Sequence, residues 1–211
     1  LHTEIEEKIF NSAEDIAAVV GEELWNGLPV VEGLKPQNGK ISDMLLDINW
    51  RPALSVIGSG GMPPVESAGN VLRTHTDLAL SIRIPPGVDS VSALQELTDT
   101  LESNPPYGAE VNFESHPPAD GFRAPSLPEN VAKALTEASE SLTGMPPHPT
   151  WVGGTIPFMA MMQKKYPDAA FLCTGAAGPG NNAHGPDEKL HIPSAKRLTA
   201  VIAAVVRSVG N

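Results

Sequence analysis

The chain has 211 residues, of which 41% are hydrophobic and 18% charged, an ordinary globular composition with enough apolar side chains for one large core or two small ones. Its 14 Lys and Arg against 25 Asp and Glu leave a net charge of -11, which repels phosphate backbones and anionic membrane surfaces and sets aside nucleic acid and membrane as partners. No run approaches the roughly 20 apolar residues of a membrane span, and the acidic opening from Leu1 to Lys8 is unlike a secretory signal.

A single cysteine, Cys173, excludes an internal disulfide and fits a reducing cytoplasm. The chain opens on leucine, not methionine, which raises the expectation of a fragment.

Between Thr3 and Trp25, Ile5, Ile9, Ile16, Val19, Val20 and Leu24 recur at spacings near three and four. This predicts one or two amphipathic helices with an acidic outer face. Gly, Pro and Asn break the pattern from Asn26 to Asp43, giving a loop.

Pro52 to Ile57 reads as a short strand ending in Gly58-Ser59-Gly60-Gly61, and Asn70 to Ile84 as a longer one. In the latter Leu78, Leu80, Ile82 and Ile84 alternate with Ala79, Ser81 and Arg83, the period of a half-buried strand. Asn70 and Arg83 thereby stand at opposite ends of one strand.

After Pro85-Pro86-Gly87, the stripe Val91, Leu94, Leu97 and Leu101 predicts a helix over Ser90 to Glu102, and Ala109 to Ser115 a further strand. Strand, helix and strand in so short a stretch predict an α+β sandwich.

Proline and glycine cluster at Pro117-Pro118-Ala119-Asp120-Gly121, which marks the domain boundary and divides the chain into 1–118 and 119–211. Beyond it, helices are expected over Leu127 to Leu142, Thr155 to Tyr166 and Ser194 to Val209, the last closed by Gly210. Ala169 to Thr174 is expected as a buried strand that encloses Cys173. Helices around one apolar strand have the texture of part of an α/β layer.

Chemistry-bearing residues concentrate in Gly178 to Glu188, a polar glycine-rich loop directly after that expected strand, where α/β proteins place reactive groups. His184 lies there between small residues, and neutral imidazole is the commonest zinc ligand. Taken alone, a single loop histidine is more often solvated than ligating. Gly175 to Gly180 lacks the lysine and Ser/Thr of a nucleotide-binding P-loop.

Trp151-Val152-Gly153-Gly154-Thr155-Ile156-Pro157 puts two glycines before a helix start. It reads equally as a substrate-facing backbone loop or as an ordinary turn and N-cap. Arg83, on a strand, has the fork geometry to grip a carboxylate, although most strand arginines are solvated. His2, His75, His116, His148 and His191 have no partner at metal-ligand spacing, and no HExxH or CxxC occurs.

Gly153-Gly154-Thr155-Ile156-Pro157 followed by Ala183-His184-Gly185-Pro186-Asp187-Glu188-Lys189-Leu190 resembles the C-terminal signature of the di-zinc metallopeptidases that include carnosinase, cytosolic dipeptidase and succinyl-diaminopimelate desuccinylase. The runs Trp50 to Leu54, Ala68 to Leu72 and Leu80 to Gly87 resemble the lid of the same family, in the same order, so the likeness extends from about residue 50 to the end. Residues 1–49 carry no motif, and their position implies the start of the lid or the hinge leading into it.

The resemblance implies an α+β sandwich lid, the dimerisation domain, over 1–118, and over 119–211 a C-terminal segment of a zinc-peptidase α/β catalytic domain. It implies that His184 is a zinc ligand, that Asn70 and Arg83 contact substrate, and that Gly153, Gly154 and Thr155 line the pocket. Asp187 stands where the family usually has asparagine.

The resemblance further implies two zinc ions per full-length subunit, with the other ligands and the glutamate general base upstream of this sequence, and a homodimer formed through the lid. The expected activity is hydrolysis of dipeptides or N-acyl amino acids by the whole protein, this chain alone being inactive. The competing expectation is a non-catalytic homodimerisation or binding module.

Overall fold

Three apolar residues spaced by about one and two turns, Ile9, Ala13 and Ile16, form the buried stripe of α1 (Glu7–Val20), and the helix stops at Gly21, whose φ of 58° lies outside the helical basin. A short α2 (Glu23–Asn26) follows. The computed structural model describes residues 1, 4–151, 156–178 and 180–210.

The loop expected to reach Asp43 ends before Ile41, and a helix not expected from the sequence follows, α3 (Ile41–Asn49), which buries Ser42, Leu45 and Leu46. Its apolar positions are compressed into two turns and end on Trp50, so the helix is easily taken for loop. α3 packs along α1, and Ile9, Ala13, Leu46 and Trp50 form the core between them, with Ile5 and Trp151 against its edge. Lys40 and Ser42 at the start of α3 both reach Glu14 on α1, at 2.5 and 3.1 Å.

Next come β1 (Ala53–Gly60) and β2 (Asp77–Arg83), an antiparallel pair with Leu54 opposite Ile82 and Ala53 opposite Arg83. The register slips between Val56 and Gly58, leaving Ile57 as an extra residue, the signature of a bulge. At Gly61, φ is 73° and a side chain would run into the His75 carbonyl, so glycine is needed where the chain leaves β1.

The strand expected from Asn70 begins only at Asp77, and Asn70 lies instead in the exposed 61–76 connection. α4 (Ser90–Glu102) matches its expected bounds. Ala93, Leu94 and Leu97 of α4 face Ile82 and Ile84 across an apolar cleft closed by Pro117 and Pro118.

Two expected strands do not form. Residues 109–115 and 169–174 run without ladder partners among the described residues, and a strand without a partner has nowhere to send its backbone N–H and C=O groups but water. In the first, the Phe113 N–H donates to Glu102 Oε1 at 2.6 Å. In the second, Phe171 meets Phe122 edge-on at 5.4 Å, while Leu172 and Cys173 are exposed. The thiol of Cys173 is thus at the surface, contrary to the expected buried strand.

α5 (Glu129–Thr143) and α7 (Ile192–Val209) pack together, using Val131, Ala134 and Ala138 on one side and Val201 and Val205 on the other. The small alanines let the axes approach. Between them in sequence lies α6 (Pro157–Lys165), which buries no residue. No helix among the described residues is long and apolar enough to cross a membrane.

Three long-range contacts bring residues 6–50 onto the second half of the chain. Arg123 pairs with Glu6 at 2.5 Å and places its guanidinium 5.4 Å from the Trp50 ring centre, and Trp50 meets Trp151 edge-on at 5.6 Å.

The Arg123 guanidinium, with Lys8 beside it, holds the Glu6 carboxyl down at about 2 from an ordinary 4.5. A depressed carboxylate contributes stability that is present above the unfolded value and lost as pH falls through the folded one, so this ion pair is expected to break between about pH 4.5 and 2. An NMR titration of the Glu6 carboxyl carbon should give a midpoint near 2 in the native chain, moving upward in Arg123→Met. A midpoint that does not move in the variant would remove Arg123 as the cause.

Candidate metal and substrate site

The loop that carries His184 is built from left-handed backbone. Gly180, Asn182 and His184 have φ of 73°, 53° and 61°, a conformation in which histidine and asparagine are enriched but still uncommon. Short backbone bonds close it: Asn181 N–H to Gly178 O at 3.1 Å, Gly185 N–H to Asn182 O at 2.9 Å, and Lys189 N–H to Asn181 O at 2.7 Å.

At Gly185 the Asn182 amide occupies the place an added Cβ would take, so a larger residue there would have to displace that side chain. The outcome is an exposed imidazole on a backbone bent against its preference. Such outliers cluster at functional sites because surrounding contacts must hold them.

Arg83 closes β2 and is exposed. The register puts it on the sheet face shared with Ala53 and Ser81, opposite the face that carries Ile82 toward α4, and no ion pair occupies its guanidinium among the described residues. Asn70 is exposed in the connection before β2, seven residues from the strand. No hydrogen bond joins Asn70, Arg83 and His184 among the described residues.

Gly153, Gly154 and Thr155 lie outside the described residues. The flanking positions are defined. Trp151 leans on Trp50, and Ile156 precedes α6, accepting from the Met159 and Ala160 N–H groups at 2.9 and 3.3 Å.

Trp50 and Arg123, which pattern reading passed over, therefore anchor the start of this segment. The spacing of Ile41, Leu45, Leu46 and Trp50 was the available signal for the first, while nothing in sequence marked Arg123.

His184 suits a zinc ligand in chemistry and access. The rest of a zinc site is not found among the described residues, where no group of three or more His, Cys, Asp or Glu gathers closely enough to hold a metal. One imidazole does not organise a metal ion.

The model of peptidase family M20/M25/M40 matches residues 8–208. The chain belongs to that family.

Among curated relatives, the cysteinylglycine-S-conjugate dipeptidase of Corynebacterium striatum is 30% identical over 159 residues, covering 72% of this chain and 33% of that protein. Of solved structures, human carnosine dipeptidase 1 superposes with a TM-score of 0.74 at 20% identity, over 98% of this chain and 43% of the other. The M20 family metallo-carboxypeptidase Sso-CP2 of Sulfolobus solfataricus does so with a TM-score of 0.70 at 19% identity, over 96% and 45%. These two share the fold, which bears out the mixed helix-and-strand class expected from sequence.

This M20/M25/M40 chain spans a third of the length of its curated relative and less than half of either structure.

Proposed function

We propose that this chain is part of a zinc-dependent hydrolase that cleaves dipeptides or N-acyl amino acids, and that it supplies one metal ligand and most of the substrate grip. The observation that carries the reading is His184, exposed and held at a φ of 61° within the part of the chain that the family model matches.

In this reading His184 donates a ring nitrogen to metal, and the remaining ligands and the general base come from residues outside this sequence. When bound, zinc supplies Lewis acidity to the scissile carbonyl. Arg83, on an exposed strand end and with no ion pair on its guanidinium among the described residues, holds the substrate carboxylate as a bidentate fork. Asn70 hydrogen-bonds substrate from the 61–76 connection, and the backbone of Gly153, Gly154 and Thr155 lines the pocket. A homodimer formed through the first unit and a cytoplasmic setting belong to the same reading.

For domain organisation we take 117–121 as the division between lid and catalytic segment. The Glu6–Arg123 and Trp50–Trp151 contacts cross it, which supports grouping residues 5–50 with the second unit and keeping 53–116 as the lid proper.

Zinc content and dipeptide hydrolysis, measured for this chain and for the longest product of its gene, test the proposal. The longer product is expected to carry about two zinc ions per subunit and to hydrolyse dipeptides, and this chain to do neither. A longer product without metal or activity would leave a dimerising module as the function.

A further inference from the structure

The chain passes between 53–116 and the rest at two places, and at the second of them one carboxylate reaches both sides. Asp120 Oδ1 accepts from the Ser90 N–H at the start of α4 at 3.1 Å, and its Oδ2 accepts from Lys164 Nζ on α6 at 2.7 Å. We propose that Asp120 is a conformational latch, whose two bonds hold α4 and α6 together across an apolar cleft and whose release on the Lys164 side lets the 53–116 unit swing away.

Three observations distinguish this from an ordinary helix cap. First, α4 already has its N-cap, because Asp89 accepts from the Ser92 N–H at 2.8 Å. The Asp120 bond is additional, and it comes from a residue 30 positions away.

Second, the two ends differ in strength. Ser90 is buried, and beneath it the backbone of Gly121 lies against Pro86, where a Cβ would come within 3.0 Å of the Pro86 Cα, with Pro85 fully buried. The linker is therefore firmly seated on the α4 side.

On the α6 side the Lys164 side chain is 75% exposed, and exposed ion pairs are individually weak and salt-sensitive. α6 buries none of its residues, and among the described residues its other side-chain hydrogen bond to a distant segment is the Gln163 amide donating to Arg123 O at 3.2 Å.

Third, something lies behind the latch. The cleft formed by Ile82, Ala93, Leu94 and Leu97 also includes Pro157, the first residue of α6. A swing at Asp120 would open that apolar wall to solvent. The attraction of Lys164 and the bond from Ser90 hold the Asp120 carboxyl well below the usual carboxylate range, so the latch stays charged at neutral pH.

The inference stands apart from the proposed hydrolase activity and is tested on this chain. In a Cys173→Ser background, spin labels on Glu96→Cys in α4 and Lys165→Cys in α6 report the separation by pulsed EPR. With Asp120 and Lys164 intact, one narrow distance is expected, with any longer state below ~10%. Asp120→Ala and Lys164→Met are each expected to raise a longer, broader population several-fold, as is roughly 1 M salt, where screening acts within about 3 Å.

Lys133→Met removes an equally exposed lysine from its pair with Glu137 within α5 and is expected to leave the distance unchanged, with circular dichroism confirming that every variant folds. Distributions that stay the same in Asp120→Ala and Lys164→Met would overturn the latch. So would a change in Asp120→Ala alone, which would leave only the Ser90 bond.

Discussion

His184→Ala in the full-length protein is expected to abolish measurable dipeptide hydrolysis and lower bound zinc, a loss greater than the roughly 10- to 100-fold that accompanies removal of an outer-shell partner of a metal ligand. The imidazole is exposed and makes no side-chain hydrogen bond among the described residues, so little folding energy is tied to it.

His184→Gly sharpens the test, because glycine adopts the observed φ of 61° without penalty. It should lose metal and activity while its urea midpoint stays level or rises. A histidine that merely supports the loop would behave the other way, with stability falling and zinc retained. His148→Ala, at an exposed histidine outside both motifs, serves as the control and should keep both metal and activity.

Trp50→Ala should cost about 3–5 kcal/mol of folding stability, the range for deleting a large buried aromatic. Against a typical total of roughly 5–15 kcal/mol, this is enough to leave a sizeable unfolded fraction. Five partners are lost at once: Ile9, Ala13 and Leu46 in the core, Trp151 edge-on, and Arg123 over the ring face.

The conservative change separates packing from hydrogen bonding. The Trp50 Nε1 is buried with no partner among the described residues, so Trp50→Phe removes a buried donor while keeping most of the apolar contact. It should therefore cost no more than about 1.5 kcal/mol. Urea denaturation followed by circular dichroism measures both. A cost below about 1 kcal/mol for the alanine variant would mean that α1 and α3 are held by something other than this core.

Several elements were legible in the sequence because they depend on neighbours within a few residues. α4 falls on its expected bounds since Asp89 caps it locally and Ala93, Leu94 and Leu97 repeat at helical spacing. α5 and α7 lie within a residue or two of expectation for the same reason. The alternation through Leu78, Leu80 and Ile82 fixed which way Arg83 faces before any partner strand was known.

Where the reading failed, long-range pairing decided. Ala109 to Ser115 and Ala169 to Thr174 have strand composition, yet neither finds a ladder among the described residues. Composition registers preference, while a strand exists only where a second backbone lies alongside. The early part of Asn70 to Ile84 failed likewise: β1 ends at Gly60, so nothing remains for residues before Asp77 to pair with.

By itself, then, the sequence determined the longer helices apart from α3, the polar loop around His184, the glycine-bounded motifs and the family they point to, because each is specified by short-range pattern or by residue identity. Only the tertiary structure decided that residues 5–50 fold onto Arg123 and Trp151, that Cys173 is at the surface, and that Asp120 joins α4 to α6. Those outcomes turn on contacts between residues up to 117 positions apart, whose partners no local periodicity names.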